Sequence, residues 1–477
     1  MSIREIVLNI GVVITCLGGL LNPVIGLLGY IWYSLCRPDI LAWSEGEGRH
    51  QLIIGICTLA GAWRFIPNLR LWVKNPFVIS VLLLQVVMLL SIVNAVNPMP
   101  AWLHYQQFFK ALSIALLIPL FIVAESTYRW LMLAVATSAG LLGAKFGLWG
   151  IALGGVYIHM GAGGFFSDNN CLAMHLNTAL PIIYYSRELF TRYWQKALVL
   201  VVTFSTMAAI IMLHSRASIL TLGILLLVMA FRSKHKVLAL AGLTILTAPA
   251  VYLVSDTLIK RMKTLENIEA DRSASGRLAY NLLAIQVWKD HPVLGVGFGT
   301  ENWAAVSERY MKKSDARHVV HNNYLQHLVD SGIFAFLIVT WQILYGIWWT
   351  GRSAKTMKRL YPGREFYPKA LEGALIGFGI ASIFGSRTDY DFYYILVLMV
   401  GAWYTVHQQL VSEYVPAPAA VPAAPESLPG RLMPPPPAGV PALPAVGPAR
   451  KAAPAGRVER WRNPASPIRT SARVRGA

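Results

Sequence analysis

Long apolar runs alternate with short polar connections along this chain, and the runs dictate its architecture. "VISVLLLQVVMLLSIV" at 78–93 and "IFAFLIVTWQILYGIWW" at 333–349 carry no charge. Runs of roughly 17 to 25 apolar residues are long enough to cross a hydrocarbon core as helices. Candidate spans fall at roughly 6–36, 51–63, 77–93, 108–124, 129–150, 171–185, 197–213, 217–231, 237–254, 332–350, 370–385 and 391–411. The pattern predicts an all-α polytopic membrane bundle of about twelve spans. The first region is split at Asn22-Pro23 and reads as a single broken crossing, with two spans, thirteen in all, as the alternative.

Composition agrees. Charged residues make up 14% of the chain and the mean hydropathy is +0.50, against about 25% charged in soluble domains. The net charge of +19 does not call for nucleic acid, because basic residues gather in the cytoplasmic loops of membrane proteins. "RFIPNLRLWVK" at 64–74, "RELFTRYWQK" at 187–196, "RSKHK" at 232–236 and the segment 351–369 are all net basic. They share one side if the spans alternate, and that side is expected to be the cytoplasm. The segments 151–170, 214–216 and 255–331 then lie on the outer, exported side. The N-terminal run lacks a clear cleavage site and reads as a retained helix. The four cysteines lie in or beside apolar runs without metal-ligand spacing and read as small core residues.

The long connection 255–331 reads as partly helical. In "SASGRLAYNLLAIQVWKDHP", Leu278, Leu282, Ile285 and Trp288 recur at helical spacing, Ser273 or Ser275 can cap the start, and Pro292 marks the end. From about residue 413 the composition turns to Pro and Ala and then to a basic end. The expected organisation is therefore a membrane domain over 1–412, with the long exported loop 255–331 inside it, and a disordered cytoplasmic tail over 413–477. The basic end suits anionic lipid.

Against this apolar background, "HNNYLQHLVDSG" at 321–332 stands out, placed at the mouth of a span. Arg216, in "HSRAS", is embedded in nearly continuous apolar sequence, and intramembrane charges are functional candidates by default. Alone, Arg216 fits a snorkelling arginine, Arg277 a surface arginine and His321 a structural histidine. Together, on one side of the membrane, they form a different set. Two guanidiniums grip phosphate oxygens bidentately, and a histidine exchanges a proton near neutral pH. That set suits a lipid diphosphate leaving group and an incoming hydroxyl. Asn322, Asn323, Gln326 and His214 are candidate substrate contacts, with an interfacial helix cap as the alternative for the asparagines. No Asp-x-Asp pair, P-loop or H-E-x-x-H occurs, so neither a metal nor a cofactor is expected. "GVGFG" at 295–299 reads as a tight turn, and Asp389 and Asp391 in "SRTDYDFYY" as a solvated one.

The motifs "HSRAS", "SGRLAYNLLAIQVWKDHPVLGVGFG" and "HNNYLQHLVDSGIFAF" resemble the superfamily of O-antigen ligases, polysaccharide polymerases and protein O-glycosylation ligases. The N-terminal "NPVIGLLGYIWYSLCRPDILAW" is similar to the exosortase-associated O-glycosylation branch. The resemblance implies a metal-independent glycosyltransferase. It takes a glycan from an undecaprenyl-diphosphate carrier and delivers it to a protein or lipid hydroxyl. Arg216 and Arg277 would hold the diphosphate, and His321 would assist transfer. A polymerase using the same donor is the nearest alternative. A transporter of lipid-linked glycan would require repeated halves meeting at mid-membrane, and no clear internal repeat is present.

Overall fold

A computed structural model describes residues 3–41, 49–153, 166, 168–233, 236, 272–311, 319–385 and 387–414. Every regular element among them is a helix. The expected span 237–254, the first part of the long loop and the tail beyond Tyr414 lie outside the described residues.

The helices are α1 (Ile3–Leu21), α2 (Pro23–Cys36), α3 (His50–Ala60), α4 (Pro76–Val93), α5 (Pro98–Ala115), α6 (Glu125–Ala152) and α7 (Asn169–Ser186). They continue as α8 (Tyr193–Met212), α9 (Arg216–Phe231), α10 (Arg272–Asp290), α11 (Thr300–Ser307), α12 (Asn323–Leu360), α13 (Phe366–Ala381) and α14 (Asp391–Glu413). Among the described residues six are long and apolar enough to cross a membrane: α1, α4, α6, α8, α12 and α14. A seventh crossing is possible where α3 continues, through a 55° bend, into Ala62–Val73.

Several polar groups inside the bundle are paired between helices, where a bilayer supplies no water to satisfy them. Gln342 of α12 donates to Ser80 Oγ of α4 at 3.0 Å and accepts from Tyr393 of α14 at 2.5 Å. Asn75, the cap of α4, donates to the Gly401 carbonyl of α14 at 2.7 Å. On α6 the approach of α8 is closer still: a Cβ at Gly147 would overlap the Ser205 carbonyl.

The first region departs from the single broken crossing. Asn22 is extended and caps α2, with Pro23 at its first position, and the chain reverses there. Asn9 of α1 meets His50 Nε2 at 2.9 Å, and His50 Nδ1 meets the Tyr33 hydroxyl of α2 at 3.0 Å. Asn9 and Tyr33 therefore lie at one depth, and α1 and α2 form an antiparallel pair. The reason is local: a fixed proline φ after an extended cap lets the second helix start in a new direction. Ser34, beside Tyr33, donates to Asp391 at 3.3 Å, so the first turns of α1 share the Asp391 end of the bundle. At the opposite end Arg64 donates to the Leu21 carbonyl, Arg129 to the Leu189 carbonyl, Arg364 pairs with Glu125 and Arg232 with Glu372. The net-basic connections thus gather at the end away from Asp391.

In a cysteine-free background, a cysteine at Arg4 is expected to react with a membrane-impermeant maleimide from the same side as one at Arg387. A cysteine at Arg364 should react only from the other side. Labelling of positions 4 and 364 from one side would restore the single crossing.

Candidate active site

The site is organised by a break in α12. Gly332 has φ +77° and ψ −169°, so the helix is interrupted between the polar stretch 321–332 and the apolar run that follows. An interrupted helix leaves carbonyls without partners, and in a buried place they must find others. The segment 292–297 supplies them. Val296 N donates to Val329 O at 2.8 Å, Gly297 N to Asp330 O at 3.1 Å, and Ile333 N donates back to Pro292 O at 3.0 Å. Ser91 of α4 adds a hydroxyl to the Asp330 carbonyl at 2.6 Å. "GVGFG" is thus an extended strap over a broken helix and not a tight turn. Gly332 and Gly295 have positive φ, and a Cβ on either would overlap the backbone of the other segment. This explains why both motifs carry glycine at these positions.

The strap continues to Gly299 and Thr300, which line a cavity of about 300 Å³. Besides the strap and His104 of α5, its wall is assembled from five further parts of the chain. Asp168, Asn170 and Cys171 come from the start of α7, and Ser215, Ala217 and Ser218 from the start of α9. Arg277 comes from α10, and His321 and Gln326 precede and open α12. Arg387, Thr388 and Asp389 come from the turn before α14. Ser215 caps α9 through Ser218 N and donates to Asn170 at 2.7 Å, locking α7 to α9.

Arg277 and His321, which lie forty-four positions apart in sequence, therefore share one cavity. Arg216 is the first residue of α9, between the lining residues Ser215 and Ala217, and does not itself line the cavity. His321 and His214 both adopt positive φ, +59° and +48°, conformations that cost a non-glycine residue energy and recur at functional sites. His214 is buried and does not line the cavity. Asn322 caps α12, accepting from Tyr324 N and Leu325 N at 3.0 and 3.1 Å. Asn323 is buried and accepts from Arg387 N at 3.2 Å, fixing the 387–389 turn. Neither asparagine lines the cavity; Gln326 does, with its amide already bonded to Val320 N and Asp330. His327 is fully buried, with neither ring nitrogen hydrogen-bonded.

Sequence reasoning missed Arg387 and His104. The charged "RTD" before an apolar helix was a legible signal for Arg387. His104, in "AWLHYQQFFK", had none. Asp389 sits in a turn but is partly buried, and it pairs with His104, Nε2 to Oδ2 3.5 Å. The contact with Asp389 raises the His104 pKa despite burial, and nearby Glu301 and Asp330 act in the same direction. Burial opposes ionisation of Asp389, but His104 and Arg387 outweigh it and hold the carboxyl below its usual range. The pair also borders a second cavity of about 850 Å³. Its polar lining includes Ser34, Arg37, Arg49, Gln51, Gln107, Lys110 and Asp391, among the rings of Tyr30, Phe108 and Phe392. His104 and Asp389 are thus a shared wall between a small cavity with two guanidiniums and a large amphipathic one.

Residues 198–340 match the family described as O-antigen ligase. That stretch contains Arg216, Arg277 and His321, and the match supports placing this part of the chain in the O-antigen ligase superfamily. The chain is accordingly a membrane enzyme of the glycan ligase or polymerase kind, acting on a lipid-linked glycan. Residues 3–191 match a family of unknown function (DUF5935); this part supplies His104 and Asp168. No curated protein matches the chain.

The His104–Asp389 pair should be visible in the pH dependence of stability. The raised His104 contributes fully below its unfolded value of about 6.5 and loses the contribution as pH climbs through the folded value. The lowered Asp389 contributes above its unfolded value of about 3.9 and loses it as pH falls through the folded value. The gap in melting temperature between wild type and His104→Gln is expected to be widest near pH 5–6 and to close at alkaline pH. A gap constant from pH 5 to 9 would show that the pair carries no charge interaction.

Proposed function

We propose that the protein transfers a glycan from an undecaprenyl-diphosphate carrier to a hydroxyl acceptor at the periplasmic face of the bacterial inner membrane. The observation that carries this reading is the single cavity shared by Arg277, Arg387 and His321. Two permanently charged, planar donors suit the oxygens of a diphosphate. They would neutralise the charge that builds on the departing phosphate. Arg216, at the first turn of α9, would add positive potential from a third element, together with the helix N-terminus itself. His321 would serve the acceptor hydroxyl, taking its proton as the new glycosidic bond forms. Transfer is expected to need no divalent metal, because guanidiniums take over charge neutralisation.

The cavity lies at the end of the bundle away from the basic connections, which supports a periplasmic site through the positive-inside rule. The larger cavity suits the acceptor. Its carboxylates, amides and aromatic rings together suit a hydroxyl-rich ligand, and Arg37, Arg49 and Lys110 suit an acidic group on it. The acceptor hydroxyl would reach past the His104–Asp389 pair into the smaller cavity, where His321 and the donor sit. The N-terminal segment supports the exosortase-associated, protein O-glycosylating branch over a polymerase, and the membrane domain 1–412 would act without the tail 413–477.

The test is transfer by purified protein in liposomes containing lipid-linked glycan. General acid–base assistance contributes roughly 10²–10⁴ in rate, so His321→Ala should lose about that much while still binding donor. His327→Ala should lose far less, and Arg277→Lys should fall well below wild type because the fork is gone. Equal, mild losses at 321 and 327 would remove His321 from the chemistry. The products separate the branches: one glycan on a protein or lipid acceptor marks a ligase, and lengthened lipid-linked glycan a polymerase. A chelator is expected to leave transfer unchanged; loss restored by magnesium or manganese would overturn the metal-independent mechanism.

A further inference from the structure

Helix α10 has its apolar residues on both sides. Leu283, Ala284 and Val287 are buried in a small core with Val296, Trp303 and Val329. The stripe that the sequence pattern singled out faces outward instead: Leu278 and Leu282 are 56% and 60% exposed, and Ile285 is 36% exposed. An exposed stripe of this kind on an extramembrane helix has to be covered by something.

We infer that the outer face of α10 lies in the bilayer interface, so that the helix is a lipid-bound clamp beside the cavity. Depth carries this. The strap ties the end of α10 to α12 at one level, through Ile333 N to Pro292 O at 3.0 Å. At that level the uncharged run 333–349 begins to enter the membrane. Continuity carries it further. Val293, just past α10, is 54% exposed, and the outward row of α12 continues from it with Phe334 and Leu337. The stripe of α10 thus runs on into a face that already meets lipid. Its remaining features fit the same place. Trp288 is half-buried and donates its indole N–H to the Pro292 carbonyl at 3.2 Å, as tryptophan does at membrane interfaces. Lys289 is exposed one turn beyond Ile285, where its stem covers apolar surface and its ammonium reaches the headgroups. An amphipathic helix held this way binds a membrane surface through its buried apolar area.

The clamp has a consequence that rests on the glycan-transfer reading: Arg277, on the same helix, is held at the depth of lipid phosphates.

The surface is tested without reference to transfer. The four native cysteines are replaced, and a small environment-sensitive fluorophore is placed on Leu282→Cys in full-length protein in nanodiscs. A label on Glu308→Cys, exposed at the end of α11, is the aqueous reference. The expected result is blue-shifted emission at 282, strong quenching by phospholipids nitroxide-labelled at a shallow acyl position, and several-fold weaker quenching by iodide than at 308. Iodide quenching equal to that at 308, with no lipid quenching, overturns the inference. So does protection from both quenchers with more than one copy per nanodisc, which would make the stripe a contact between copies. Size-exclusion profiles matching wild type keep misfolding out of the comparison.

Discussion

The structure depends on repairing one broken helix. In a bilayer or a dry interface, a backbone carbonyl without a donor costs several kcal/mol. Gly332 creates such carbonyls at Val329 and Asp330, and the strap 292–297 satisfies them with its own N–H groups. The exchange fixes more than α12. The strap also accepts from Val96 N, at 3.0 Å, through the Val296 carbonyl. Asn302, on the helix that follows, accepts from Asn97 N at 2.6 Å. The long loop is thereby stitched to the α4–α5 connection, and the His104 end of α5 is brought against the strap.

A polar cavity at the end of an apolar bundle follows from that stitching. The charged groups sit where helices begin: Asp168 caps α7, Arg216 opens α9, and Arg387 and Asp389 precede α14. Helix starts present unpaired N–H groups and positive potential. Several of them converging on one place with two arginines produces a site biased toward anions. His104 and Asp389 divide that site from the larger cavity, where aromatic and amide groups join Arg37, Arg49 and Lys110.

Much of this was legible in the sequence because the bilayer is a simple solvent. The spans at 77–93, 129–150, 197–213 and 391–411 are found within a few residues, since an uninterrupted apolar run has no other stable state in lipid. Arg277 and His321 were legible because polar residues are costly beside a membrane span, so their presence is informative. His104 was not, because a histidine among aromatic residues gives no pattern until its partner is known, and that partner lies 285 positions away. The stripe on α10 was read with the right spacing and no direction. Periodicity defines faces, but the choice between a small protein core and lipid belongs to the neighbours.

The sequence by itself determined that the chain is a helical membrane protein, where most of its helices begin and end, and which charged residues were costly enough to need a purpose. Those are consequences of hydrophobicity, proline and glycine, which act locally. Only the tertiary structure decided that α1 and α2 double back, that "GVGFG" straps the break at Gly332, and that Arg387 and the His104–Asp389 pair join the cavity while Asn322 and Asn323 serve as scaffold. Each of these is a pairing between distant segments. It is fixed by which buried donor finds which buried acceptor, and a linear pattern does not carry that information.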